Sequence, residues 1–156
     1  MSNCAVQMRQ EGGVIRFDMP SSVGLLDAVV RQCERTLKEI SNNELSSVTV
    51  VLREMLKNAI VHGNRNEEQR RVQVSLECLN GREFWITGAD EGSGFDYRSV
   101  NAGVPSDPRT IEKRGYILIG NISKALLFND RGNSVTAWVA VDDWAHSNRR
   151  EMARDE

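Results

Sequence analysis

With 156 residues and 40% apolar content, the chain can bury one core and has the length of one typical domain. Its 27% charged residues carry both signs and sum to −2, which excludes a nucleic-acid binder driven by bulk electrostatics, because such domains are strongly basic. No apolar run approaches the roughly eighteen residues of a membrane span, and no charged N-terminal region precedes an apolar stretch. The three cysteines, Cys4, Cys33 and Cys78, form no Cys-x-x-Cys pair. A cytoplasmic protein with free thiols, no structural zinc and no nucleic-acid or membrane partner is expected.

Residues 1–12 are mixed in character and predict a frayed end or an edge strand. Val14, Ile15, Phe17 and Met19 predict a strand over 13–19, ended by Pro20. Ser21 or Ser22 is placed to cap a helix by accepting a hydrogen bond from a first-turn N–H. Leu26, Val29, Val30, Cys33, Leu37 and Ile40 recur at helical spacing over 23–40. Ser41-Asn42-Asn43 breaks that helix and offers a second cap. Another helix is predicted from Glu44 to His62, with Leu45, Val48, Leu52, Met55, Leu56, Ala59 and Ile60 on its apolar side. Gly63 suits the left-handed position just past a helix end, and Asn64 to Arg70 reads as a polar loop.

Alternation at Val72, Val74, Leu76 and Cys78 predicts a strand with one buried face. Asn80-Gly81 predicts a hairpin turn, and Phe84, Ile86, Gly88 and Ala89 the return strand into Asp90. Residues 91–114, rich in Gly, Ser, Pro and Asp, predict a long loop of the functional kind. Helical spacing resumes over 115–126, Arg131-Gly132-Asn133 is a turn, and Val135, Ala137, Val139 and Val141 predict a last strand. The polar tail 145–156 is expected to be disordered, leaving 1–144 as a single domain. The order β-α-α-β-β-loop-α-β predicts an α+β two-layer sandwich, with a mixed, mostly antiparallel sheet and helices on one face.

Glu54 and Asn58 are four apart and share a helix face, with His62 two turns from Glu54 and only partly off that face. Alone, such a pair reads as a solvated polar face. Asp90 changes the reading, because it ends a strand of small and apolar residues, where a carboxylate without donors is costly to bury. Gly92 and Gly94 follow it and permit close backbone approach. A calcium-binding EF-hand loop fails here, since its fifth and twelfth positions would be Gly94 and Asn101.

Together, the Glu-x-x-x-Asn helix and the Asp-x-Gly-x-Gly loop resemble the N box and G1 box of the GHKL ATPase superfamily. That superfamily groups gyrase, Hsp90, histidine kinase and MutL ATPase domains. Glu54-Met55-Leu56, Asn58-Ala59 and His62-Gly63, followed by Asp90-Glu91-Gly92-Ser93-Gly94-Phe95-Asp96, are similar more narrowly to the small anti-sigma-factor serine kinases of bacterial partner-switching systems. The likeness extends over about 14–141, from Pro20-Ser21-Ser22 to the last strand.

The resemblance implies the histidine-kinase-like ATPase fold, with ATP and Mg²⁺ as ligands. It implies that Glu54 is the general base, that Asn58 holds Mg²⁺ through its amide oxygen, and that Asp90 accepts the adenine amino N–H. Gly92 and Gly94 would let the loop pass close to the nucleotide, Thr136 would support the adenine contact, and His62, Arg114 and Gly115 would join the nucleotide-binding positions. Residues 97–114 would form a lid in which Arg98, Arg109, Lys113 and Arg114 are candidate phosphate neutralisers. The family's Gly-x-Gly-Leu stands here as Lys113-Arg114-Gly115-Tyr116, a departure that bears on phosphoryl transfer and leaves the adenine pocket untouched.

The function implied is an ATP-dependent protein-serine/threonine kinase that acts as an anti-sigma factor. It would sequester a sigma factor, phosphorylate a STAS-type antagonist and form a homodimer. The alternative is a nucleotide-binding partner switch without phosphotransfer, favoured by Lys113. A detached histidine-kinase catalytic domain is a third reading, weakened because neither His62 nor His146 sits in a phospho-acceptor helix pair.

Overall fold

Alternating apolar residues build one sheet, and two amphipathic helices cover one of its faces. The computed structural model describes residues 6–41, 44–94 and 118–141. Strand β1 (Gln7–Glu11) turns into β2 (Val14–Pro20), and a 3-10 turn, Val23–Leu25, leads into α1 (Leu26–Ile40). Next come α2 (Ser46–Lys57), a π turn (Asn58–Gly63), β3 (Arg71–Cys78), β4 (Glu83–Ala89), β5 (Ala125–Phe128) and β6 (Ser134–Ala140). The sheet order is β1-β2-β3-β4-β6-β5, and each neighbouring pair is antiparallel.

Register aligns the buried residues in rows across the strands. One row runs Ile15, Leu76, Ile86, Ala137, and the next runs Phe17, Val74, Gly88, Val135. Onto these rows pack Leu26, Val29, Val30, Cys33 and Leu37 of α1 and Val48, Val51, Leu52, Met55 and Leu56 of α2, all buried. Gly88 leaves a notch that Met55 fills, since a Cβ there would lie 3.3 Å from the Met55 methyl carbon. The other face carries Arg16, Gln73, Glu77 and Trp85, with no helix over it among the described residues. The helix-on-one-face sandwich that the patterning predicts is thus the observed architecture. No helix among the described residues is long and apolar enough to cross a membrane. Burial pushes the Cys33 thiol up to about 12, so it stays protonated and inert in the core.

Four local expectations are corrected. Neither serine caps a helix: Ser22 makes no side-chain cap, and the Ser21 hydroxyl donates instead to the Arg70 carbonyl at 2.7 Å. Helix α2 begins after Leu45, which cannot cap, and the Glu44 carboxylate takes the Ser46 N–H at 2.8 Å. Gly63 ends the π turn without a left-handed backbone, and positive φ falls on Arg65 (53°) and Asn66 (59°). The helix expected over 115–126 ends at 122, and Ala125–Phe128 pairs with β6 as an edge strand. In an apolar run this short, the two periods cannot be told apart. Asn42 and Asn43, most of the 91–114 loop and the 145–156 tail lie outside the described residues.

Leu52, 1% exposed between helix and sheet, gives a direct test of this core. Leu52→Ala should cost about 2–5 kcal/mol, the range for a buried leucine whose surroundings only partly collapse. Urea denaturation should show a lower midpoint with an unchanged slope.

Candidate functional site

Helix α2 carries Glu54 and delivers Asn58 at its end. The Asn58 N–H donates to the Glu54 and Met55 carbonyls, so helical spacing persists across the pair and both side chains leave on one face. Glu54 is half-buried, whereas Asn58 is 6% exposed. Past Asn58 the helix widens, with the Asn64 N–H reaching back five residues to the Ala59 carbonyl at 2.8 Å. Such π turns recur at functional sites. Here the turn carries half-buried His62 and sets Gly63 against the end of β4.

There the Asp90 carboxylate occupies the space a side chain at Gly63 would need. A Cβ on Gly63 would lie 2.2 Å from Asp90 Oδ2, and one on Gly92 would lie 2.2 Å from the Gly63 carbonyl oxygen. The main chain of Asp90 is fixed by its N–H donating to the Asn133 carbonyl at 2.9 Å, and its Oδ1 accepts the Gly92 N–H at 2.8 Å. Gly94 has φ +87, and a Cβ on it would lie 1.7 Å from the Arg131 carbonyl oxygen. The glycines of this loop thus serve contact of chain with chain.

Two polar groups at this junction have bonding capacity left over. Asp90 Oδ2 accepts no hydrogen bond among the described residues. Burial raises the Asp90 pKa, with the Gly92 N–H and the Arg70 charge pulling it back. The Asn58 side-chain nitrogen is buried with no partner among the described residues. An orphan of that kind costs about 1–3 kcal/mol, and a half-turn of the amide puts its oxygen at the same point.

Asn64 is the functional residue that sequence reasoning missed. It is fully buried. Its Oδ1 accepts the Glu91 N–H at 2.8 Å, and its Nδ2 donates to Ser21 Oγ at 2.8 Å and to the Arg71 carbonyl at 3.0 Å. The π turn, the end of β2, the start of β3 and the Asp90 loop are tied through this one amide. The only sequence signal is an amide directly after Gly63, between the two boxes.

Of the other expected residues, Thr136 is not brought to Asp90. Its neighbours Val135 and Ala137 enter the core, and its hydroxyl lies 2.9 Å from that of Thr87 on the opposite face. Arg114 and Gly115, with Arg98, Arg109 and Lys113, lie outside the described residues.

Residues 18–138 match the family described as histidine kinase-like ATPase domain. The chain belongs to this family. No curated protein matches it. The matched span takes in both boxes, the Asn64 hub and most of β6. A histidine kinase-like ATPase domain carries a general capacity for binding nucleotide and Mg²⁺, and the residues present fit that capacity: Asp90 is a partly desolvated carboxylate with a spare acceptor, and Asn58 is a buried amide whose nitrogen has no partner among the described residues.

The glycines separate fold from site. Gly63→Ala pushes on the end of a side chain, which Asp90 can yield by rotating, so the variant should stay folded by circular dichroism and lose nucleotide-dependent stabilisation. Gly92→Ala pushes on the Gly63 carbonyl in the main chain, so both stability and binding should fall. Equal melting temperatures for the two variants would contradict this ranking.

The Asp90 shift also fixes a pH trend. Because the folded pKa is raised above the ordinary 3.8, the stabilisation from protonating Asp90 is complete below that value and is lost as pH rises through the folded pKa. Asp90→Asn retains an oxygen for the Gly92 N–H without the buried charge. Without nucleotide it should equal or exceed the wild type in melting temperature at pH 7, with the gap closing toward about pH 4. A variant less stable than the wild type at pH 7 would refute the desolvation argument.

Proposed function

We propose that this chain is an ATP-dependent protein-serine/threonine kinase acting as an anti-sigma factor in the bacterial cytoplasm. It would sequester a sigma factor, phosphorylate a STAS-type antagonist and work as a homodimer. The supporting observation is the junction of Asp90, whose Oδ2 lacks a donor among the described residues, with the end of the helix that holds Glu54 and the Asn58 amide, whose nitrogen lacks a partner among them.

In this reading, Asp90 Oδ2 accepts the adenine amino N–H, a charge-assisted bond made stronger by the partial burial of the carboxylate. Asn58 contributes its amide oxygen to Mg²⁺. No three His, Cys, Asp or Glu side chains gather into a metal cage among the described residues, so water and phosphate oxygens complete the shell, which suits a cation that dehydrates reluctantly. Bound Mg²⁺ supplies charge neutralisation at the phosphates. Glu54 takes the proton of the partner's serine or threonine hydroxyl as the oxygen bonds to the γ-phosphorus and the bridging bond to ADP breaks. His62, with Gly115 and the lid residues Arg98, Arg109, Lys113 and Arg114, all but His62 outside the described residues, would serve phosphate binding, where charge and positioning do most of the work. The new phosphate on the antagonist then separates the complex by repulsion and desolvation.

A second reading is a nucleotide-dependent partner switch that transfers no phosphate. Lys113 in place of the first lid glycine favours it.

Thermal melts with ATP or ADP, with and without Mg²⁺, should show a rise equivalent to about 2.7 kcal/mol at a hundred times the dissociation constant. Asp90→Asn should abolish that rise. Glu54→Ala should keep it while phosphate transfer to a STAS-type antagonist falls about 10²–10⁴-fold. Binding without transfer by the wild type selects the switch. No rise with any nucleotide rejects both readings, and a pull-down with neither a sigma factor nor a STAS protein rejects the partners.

A further inference from the structure

The sheet face opposite the helices is divided into a charged half and an apolar half. On it Arg9 of β1 stands directly opposite Arg16 of β2, and the row continues through Ser75, Thr87 and Thr136. Like charges set directly opposite across two strands are destabilising. Neither arginine has an ion-pair partner among the described residues. The carboxylate lining the same groove, Asp18, is held by Arg71 and Gln73. Glu11 and Glu77 flank Val14 in the next row without pairing to either arginine. Arg9 and Arg16 line a groove of about 400 Å³ together with Gln73, Ser75 and Thr87, and a second hollow of about 170 Å³ that Glu11 and Val14 also line.

The other half of the face is richer in apolar side chains, although the Lys124 ammonium lies 5.2 Å from the centre of the Trp138 ring and pairs with Glu83 at 3.6 Å. Trp85 pairs with Trp138, and Trp138 with Ala125. Trp85 is 41% exposed and Leu127 60% exposed. In the order β1-β2-β3-β4-β6-β5, strands about 4.8 Å apart put Trp85 about 10 Å and Leu127 about 19 Å from Arg16.

We propose that this face docks a segment of a partner protein that offers carboxylates to Arg9 and Arg16 and an apolar side chain to Trp85 and Leu127. Charge complementarity decides the occupant. Guanidinium forks match carboxylates in bidentate geometry, and a bound acidic pair removes a repulsion that the free chain leaves unrelieved. Exposed tryptophan is the residue type most enriched at binding hot spots. A small free anion would leave the apolar strip unused. The surface lies on the side of the sheet away from the Asp90 junction, so the proposal stands independently of the nucleotide reading.

The test uses the full chain and a fluorescent peptide, Glu-Glu-Ser-Ser-Ser-Leu-Leu, whose acidic and apolar ends are about 13 Å apart when extended. Fluorescence anisotropy should show binding that weakens at least tenfold for Arg9→Ala/Arg16→Ala and for Leu127→Ser. A peptide with Gln in place of Glu should fail to bind the unaltered chain, a control that needs no variant to fold. The double variant should melt no lower than the wild type and keep any nucleotide-induced rise. Equal binding by the double variant, equal binding of the Gln peptide, or no binding of the acidic peptide overturns the proposal. Sedimentation showing a dimer that the double variant disperses would overturn it in favour of a second copy.

Discussion

Segments far apart in the chain meet on the side chain of Asn64, and the candidate site exists only because they do. Its amide takes the Glu91 N–H with one end and gives protons to Ser21 Oγ and the Arg71 carbonyl with the other. Ser21 in turn donates to the Arg70 carbonyl, through both its hydroxyl and its main-chain N–H. A single neutral hydrogen bond is worth only about 0.5–1.5 kcal/mol net, but each group stranded by removing the amide costs about 1–3 kcal/mol. The asymmetry makes Asn64 a constraint more than a source of stability. With the side chain fully buried, no water can replace it without opening the junction.

What that constraint holds in place is a close packing of glycines around a carboxylate. The π turn sets Gly63 where any side chain would collide with Asp90, and Gly92 is set where any side chain would collide with Gly63. The widened turn and the missing Cβ atoms are one device: together they let a helix end and a strand end meet at main-chain distance, which ordinary residues would keep apart. The π turn also separates the roles of neighbouring residues. Glu54 lies before it and Asn58 opens it still at helical spacing, so their common face is unchanged. Gly63 and Asn64 close it and belong to the Asp90 loop.

Much of this was legible in the sequence, in proportion to how local the cause was. The strands of alternating Val, Ile and Leu, both long helices and the one-sided sandwich follow from periodicity. The Gly81 turn follows from chemistry that needs positive φ, here 78°. Asp90 stood out because a carboxylate among small apolar residues needs an explanation. Gly63 was singled out for the wrong reason, since a helix-end glycine and a glycine pressed on a distant carboxylate look alike in sequence. Asn64 gives no signal beyond a polar loop because burial of a polar residue has no period; only the meeting of β2, β3 and the Asp90 loop buries it. Thr136 shows the converse. The alternation of Val135, Ala137 and Val139 already turned it away from the core, and the family resemblance that assigned it a role carried no register. Strand β5 was lost because Ala125–Phe128 is too short to declare a period.

Asn58 and Asn64, the same residue type six positions apart on one continuous turn, show how structure separates roles that composition cannot. Both are buried. Asn64 has partners for both ends of its amide, so its burial is compensated and its work is internal to the fold. Asn58 has a nitrogen with none among the described residues. Selection for stability alone favours an apolar residue there, because removing an orphaned amide removes its desolvation cost. Asp90 repeats the pattern, its burial opposing ionisation while one oxygen lacks a donor. Two polar groups with bonding capacity unused among the described residues, on elements that the satisfied Asn64 ties together, are what supports reading this junction as a ligand site.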